Sequence, residues 1–309
     1  MPENFKLLMI GAMNENGGNI THRLLDGHPG MYVYPFESQL GTRLVNDNLT
    51  SLFPVKYRWP VFPLDGTVSE DYKLIIDEEV KVRARTPQIS KFREADFRFS
   101  DDERCEIYGK YVKKEGRSRA VNVRAFFKST FDAWRNYKKS GLEEYYTGYS
   151  PVSVVDAEKI FADFPGAHFL HVVRNPWSAY ADTKKRPVPL SLAAYTLCWN
   201  INQYFALLYK QKYPRQMHIL RLEDIIGDSY KVLGALCGKL GLKPDNSLKK
   251  TSWNKEELDE VRPWGVVEKV TVEYNIGAAK ELSKEERKEI GIRTGQYISE
   301  FEYGNIFKR

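Results

Sequence analysis

Residues suited to chemistry gather first in the turn Asn14, Glu15, Asn16, Gly17, Gly18, Asn19 and Ile20, and in the helix that it opens. The apolar run Leu7 to Ile10 reads as a buried strand bounded by Gly11, and Ile20, Leu24 and Leu25 recur at helical spacing. Strand, glycine-bearing loop and helix together make an anion site, because loop N–H groups and the helix N-terminus converge on one point. The plain alternative is a tight βα turn without a ligand. His22 lies on that helix, where a neutral imidazole suits proton abstraction near pH 7; a surface histidine is the competing reading. There is no Gly-Lys-Ser/Thr phosphate loop near this turn and no nucleophile elbow, which excludes a Walker-type ATPase and a serine hydrolase.

The elements that must position these groups fall into three textures. Residues 1 to about 45 hold the strand–loop–helix unit. Residues 46–147 are rich in aromatic and charged side chains and show little clean periodicity before a helical stretch from Val121 to Tyr137. Regular α/β patterning then returns, with a helix expected from Ser153 to Phe164, a strand at Phe169–Val173 and a long helix at Leu192–Tyr209. A strand at Met217–Leu222 and an amphipathic helix at Asp228–Leu240, stopped by Gly241, complete the pattern. Alternating strands and helices predict an α/β fold, a single domain over residues 1–309 with a central parallel sheet flanked by helices. Residues 46–147 form a large insertion over the sheet edge, placed to act as an acceptor cap. Its Tyr57, Arg58, Trp59, Phe92 and Arg93 suit a sugar ring or acidic polymer as a region, while each alone reads as satellite core or solvated face.

Composition narrows the function classes. A chain of 309 residues with 42% hydrophobic residues can build a sizeable core, and no run of 18 apolar residues is present to span a membrane. The net charge of +6 suits an anionic ligand, and no nucleic-acid-binding signature occurs. Cys105, Cys198 and Cys237 are scattered, odd in number and without metal-ligand spacing. With no signal pattern at the N-terminus, the expectation is a cytoplasmic protein.

The segment Phe164-Pro-Gly-Ala-His-Phe-Leu-His-Val-Val-Arg-Asn-Pro-Trp-Ser-Ala-Tyr-Ala-Asp182 resembles the second nucleotide-binding motif of the sulfotransferase superfamily, an apolar strand running into Arg-Asp-Pro and a helix. His28-Pro29 resembles the end of that family's first motif, and Leu220-Arg-Leu-Glu-Asp-Ile225 its later Glu-Asp strand. Trp264 to Tyr303 resembles its closing loop and helix. The resemblance implies a P-loop-kinase-like fold and transfer of a sulfuryl group from 3′-phosphoadenosine-5′-phosphosulfate (PAPS) to a hydroxyl, here of a carbohydrate-like acceptor. It implies that Arg174 holds the 3′-phosphate, that residues 14–20 cradle the 5′-phosphosulfate and that Glu37 is the catalytic base, with His22 second. A helix-start carboxylate is the structural alternative for Glu37. Glu223 and Asp224 are expected to brace the scaffold, and His28, His168 and His171 to be structural.

This chain departs from the family pattern where charge matters most. The family's cation before the loop falls on Glu15 or Asn14, and its serine eight residues after the arginine falls on Asp182, beside Thr183. The family's Lys-Thr-Pro appears as Tyr149-Ser-Pro151. A carboxylate here repels a phosphosulfate unless it is protonated or turned away. The missing charge would then come from Arg23, Arg43 or a lysine of the insertion. Two alternatives stay open: a phosphoryl- or glycosyl-type transferase whose nucleotide is held with Mg2+ between Glu15 and Asp182, and a non-catalytic glycan-binding relic. The expected partners are a nucleotide donor and a small-molecule or glycan acceptor.

Overall fold

The computed structural model describes residues 5–258 and 271–306, so the part of the closing motif from Trp264 to residue 270 lies outside the described residues. Five strands form one sheet in the order β2-β3-β1-β4-β5: β1 Lys6–Gly11, β2 Met31–Val33, β3 Tyr145–Tyr149, β4 His168–Val173 and β5 Met217–Arg221. Every pairing is parallel, with Ile10 opposite Tyr149 on one side of β1 and Leu170 on the other. Parallel strands need crossovers, and helices supply them. Helix α1 (Gly18–Asp26) follows β1, and four cap helices separate β2 from β3: α2 (Val68–Leu74), α3 (Glu78–Arg85), α4 (Asp101–Glu115) and α5 (Arg119–Ala133). Helix α6 (Ala157–Asp163) joins β3 to β4, and α7 (Pro176–Thr183) and α8 (Leu192–Lys212) join β4 to β5. After β5 come α9 (Leu222–Gly227), α10 (Ser229–Lys239), α11 (Val272–Lys280) and α12 (Lys284–Glu300).

Period-two alternation along the strands divides the core between the two faces of the sheet. Leu8, Ile10, Met31, Val33, Leu170 and Val172 pack with Leu24 and Leu25 of α1 and Leu233 and Leu236 of α10. Leu7, Met9, Phe169 and Val173 point the other way, toward Phe126 and Phe127 of α5, Ile160 and Phe161 of α6, and Trp199 of α8. The α/β sheet flanked by helices on both faces is therefore as the periodicity predicts.

Two strands escape a sequence reading. β2 is only three residues long, and β3 reads Tyr-Tyr-Thr-Gly-Tyr, without an apolar run. The sheet therefore claims Tyr145, Tyr146 and Thr147 from the segment assigned to the insertion. Gly148 shows why the pattern is disguised. A Cβ there would stand 2.8 Å from Ser38 Oγ and 2.9 Å from both Met9 Sδ and the Phe127 ring, so the strand trades an apolar side chain for close approach of α5. The helix expected over residues 153–164 begins instead as a 3₁₀ turn at Ser153–Asp156 before α6.

The cap is fastened to the sheet through a buried cation. Arg104 Nη1 lies 2.7 Å from Asp77 Oδ2, its Nη2 donates to Asp101 Oδ1 at 2.7 Å, and its Nε donates to the Tyr72 hydroxyl at 2.5 Å. Tyr34, just beyond β2, donates to Asp77 Oδ1 at 2.7 Å, which ties α4 and α3 to the end of a sheet strand. Arg58 and Trp59 are buried in the same way: Arg58 bridges Asp47 and Asp156, and Trp59 Nε1 donates to Asp163 at 2.7 Å. Phe92 stacks on Phe36 with ring centroids 4.2 Å apart. These three cap residues are core, leaving Tyr57 and the exposed Arg93 as the members of that group nearer solvent. Arg104→Met would remove the buried cation from Asp77, leaving Asp101 with the exposed Arg85. The expected loss is about 3–5 kcal/mol of unfolding free energy by chemical denaturation. A loss below about 1 kcal/mol, the exposed-pair scale, would show that the cap does not depend on this cation.

Candidate active site

The loop after β1 is shaped by backbone rather than by side chains. Glu15 takes φ 62° and Gly17 φ 89°, and Asn16 N–H donates to Met13 O at 2.9 Å to close the turn. A Cβ on Gly17 would come within 2.4 Å of Leu222, and one on Gly18 within 2.5 Å of the Tyr149 hydroxyl, so both glycines are needed for packing. Helix α1 starts at Gly18 with no side chain capping its N-terminus. Its first N–H groups and dipole face the carboxyl end of the sheet, next to β1, where α/β proteins bind ligands.

Arg174, immediately after β4, is the hub of this loop. Its backbone N–H donates to Asn16 Oδ1 at 3.2 Å and its Nη1 to Glu15 O at 2.8 Å. Nε donates to Asn275 Oδ1 of α11 at 2.5 Å, and Nη1 also lies 2.8 Å from Asp182 Oδ2 of α7. Behind it, Glu223 Oε1 accepts from Asn175 N (3.1 Å), Asn175 Nδ2 (2.8 Å) and Asn275 Nδ2 (2.9 Å), while Tyr303 donates to Oε2 at 3.0 Å. Glu223 is thus a brace, as its strand-end position predicts.

Both unexpected carboxylates have partners. Asp182 faces Arg174 on one side and Lys185 Nζ at 3.4 Å on the other, and Glu15 lies 3.9 Å from Arg186. Surrounding protein raises the Glu15 carboxyl above its ordinary pKa; Asp182 and Glu37 add to this, while Arg186 and Arg174 oppose it. Among the described residues no group of three or more His, Cys, Asp or Glu side chains is placed to hold a metal ion. Arg23 is fully buried beneath α1, 3.8 Å from Asp26, away from the loop mouth, and Arg186 is the cation that the fold brings to Glu15 instead.

Glu37 is half-buried beside the end of β3, where Ser38 N–H donates to Tyr149 O at 2.6 Å. Tyr57 donates to Glu37 Oε2 at 2.7 Å, and Glu79 Oε2 accepts from the Glu37 backbone N–H at 3.3 Å. Glu79 is ion-paired with Lys91, yet burial and the neighbouring Glu37 push its carboxyl up to about 7. Burial, then the charges of Glu37, Tyr57 and Glu15, holds the Tyr149 phenol well above its usual range. Tyr149 links the two regions, with Ser38 N–H on its carbonyl and Gly18 packed against its ring. The fold therefore gathers residues 14–20, Glu37, Arg174 and Asp182 at one end of the sheet. His22 goes elsewhere. It is buried, its Nδ1 lies 2.6 Å from Arg23 Nη2, and burial beside that guanidinium lowers its pKa well below normal. His28 accepts from Gly30 N at 3.0 Å, and His171 pairs with Gln203 at 2.9 Å, both inside the scaffold. Glu79 and Asn275 were not legible from the sequence. Each meets its partner across a long chain separation, and neither sits in a motif.

The chain matches the family described as Sulfotransferase family over residues 8–246. This protein belongs to the sulfotransferase family. The sulfotransferase domain from the curacin biosynthetic pathway aligns with a TM-score of 0.52 at 12% identity, over 96% of this chain and 99% of that one, and shows the shared fold. The sulfotransferase domain of the Synechococcus PCC 7002 olefin synthase gives 0.49 at 14% identity, over 91% and 96%. Sulfotransferase STF9 from Mycobacterium avium gives 0.47 at 11%, over 97% and 77%. No curated protein matches in sequence.

Sulfotransferase-family enzymes generally use PAPS, and the residues here fit such a donor unevenly. The loop and the uncapped start of α1 suit a phosphosulfate, which needs backbone donors around its oxygens. At Arg174, the residue that the resemblance would set on a 3′-phosphate, the guanidinium is already ion-paired with Asp182, which does not suit a second anion.

The Glu37–Glu79 contact also has a pH signature. The folded state keeps a proton on Glu79 up to about pH 7, whereas an unfolded glutamate loses it near 4.5. Stability contributed by that proton is present below pH 4.5 and declines as pH rises toward about 7. Urea midpoints for wild type should fall across this window, and Glu79→Gln should flatten the slope. An unchanged slope in the variant would show that Glu79 is not the group responsible.

Proposed function

We propose that this protein transfers a sulfuryl group from an adenosine phosphosulfate donor of the PAPS type to a hydroxyl of a carbohydrate-like acceptor. The observation that carries the reading is the uncapped N-terminus of α1, opening from the loop at residues 14–20, with Glu37 in the same cluster of groups. Backbone N–H groups of that loop would hold the phosphosulfate, and they supply fixed dipoles where charge develops on the bridging and terminal oxygens. Glu37 would take the acceptor's proton as the acceptor oxygen bonds to sulfur, and the sulfur–oxygen bond to the 5′-phosphate breaks with its electron pair leaving on the nucleotide. Tyr57 fixes one Glu37 oxygen, and the other, which has no hydrogen-bond partner among the described residues, would face the acceptor. Glu37 is preferred over His22 because the imidazole is turned toward Arg23. Residues 1–309 act in this reading as one domain, with the segment from 46 to the start of β3 as the acceptor cap.

Calorimetry tests the donor class. Adenosine 5′-phosphates should bind without metal, and CTP and UDP-sugars should not. A signal that appears only with Mg2+ and another nucleotide would replace sulfuryl transfer by a different transfer on this fold. Glu37→Gln should lower kcat for radiolabelled sulfuryl transfer to a carbohydrate panel by about 10²–10⁴-fold, the usual range for a general base, with nucleotide Kd unchanged. A drop confined to nucleotide Kd would remove Glu37 from the base role.

A further inference from the structure

The geometry points to a donor whose ribose carries a free 3′-hydroxyl, adenosine 5′-phosphosulfate in place of its 3′-phosphorylated form, with the Arg174–Asp182 pair as the selecting element. This rests on the sulfuryl-transfer reading above and on Arg174 facing the donor's ribose. Arg174 has its Nε on Asn275 Oδ1 and its Nη1 on Glu15 O and Asp182 Oδ2, and its Nη2 has no partner among the described residues. Asp182 is held through Oδ2, while among the described residues Oδ1 meets the half-exposed Lys185 ammonium at 3.4 Å, itself shared with Glu281. Among the described residues, then, the ion pair keeps one donor, Nη2, and one weakly held acceptor, Oδ1.

A hydroxyl both donates and accepts, so it matches this pair. A phosphate monoester only accepts, and brings between about 1.5 and 2 negative charges near neutral pH. Placed here it would face Asp182, with Glu15 close by, and binding it through the full guanidinium fork would break the Arg174–Asp182 contact. Arg174 is almost wholly enclosed, its side chain 7% exposed, so separating the pair leaves a charge poorly solvated. Dinucleotide sites make the same distinction, an acidic side chain reading a ribose hydroxyl and an arginine accommodating a ribose phosphate. With the unphosphorylated donor the transfer balances as before: the acceptor proton goes to Glu37, the oxygen–sulfur bond forms and adenosine 5′-monophosphate leaves.

The test is calorimetry on the full chain with adenosine 5′-monophosphate and adenosine 3′,5′-bisphosphate, for wild type, Asp182→Ser and Asp182→Asn. Wild type should bind the monophosphate tighter by about tenfold, a step worth ~1.4 kcal/mol, and Asp182→Ser should reverse the order. Asp182→Asn keeps the side-chain shape, so it carries the comparison if thermal melting shows the serine variant unfolded; it should bring the two affinities together. Tighter bisphosphate binding by wild type, with a ratio that neither substitution moves, would overturn this inference while leaving sulfuryl transfer intact. Silence toward both nucleotides in wild type would overturn the donor reading, and this inference with it.

Discussion

A guanidinium cannot discharge itself by losing a proton, so a buried one must be surrounded by acceptors. Arg174 draws its acceptors from the β1–α1 loop, α7 and α11, from residues up to 159 positions away from it in the chain. The loop conformation depends on this arrangement. Glu15 O is turned toward Nη1, Asn16 Oδ1 is held by the Arg174 N–H, and the left-handed backbone at Glu15 and Gly17 is kept in place by contacts on both sides. Asn175, Asn275 and Tyr303 all donate to Glu223, and this set holds the residues that hold the arginine.

The cap repeats the same logic at larger scale. Arg104 and Arg58 are fully buried cations whose carboxylate partners come from different segments, so each works as a bolt between elements that also share the apolar core. Removing one partner would leave the others charged in a poorly solvating interior, which makes the cap's attachment specific in geometry. Glu37 is held by this arrangement, because it lies between Tyr34, bolted through Asp77, and the end of β3. The cap also delivers Tyr57 and Glu79, which touch Glu37 directly.

The balance of charge around the loop sets this protein apart from a plain reading of its family. Where the family pattern calls for cations and a hydroxyl, the chain has Glu15, Asp182 and Tyr149, and the fold answers by pairing each carboxylate with an arginine or lysine. An internal ion pair therefore stands at Arg174. The loop is also kept by glycine packing against Leu222 and Tyr149, which does not involve that pair.

The sequence by itself determined the α/β architecture and the loop at residues 14–20, because period-two and helical patterns and a glycine-rich turn are local in the chain, and it displayed the Arg174 segment through its resemblance to a family motif. It did not reveal β3, whose Gly148 gives up apolar character to let α5 approach, nor the burial of Trp59, Arg58 and Phe92 as core. Tertiary structure alone decided that His22 turns to Arg23, that Glu79 and Tyr57 meet Glu37 and that Asp182 neutralises Arg174. The physical reason is range. Hydrophobic periodicity is written in neighbouring residues, whereas the partner of a buried charge is chosen by which distant segments the packed sheet and cap bring within about 3 Å of it.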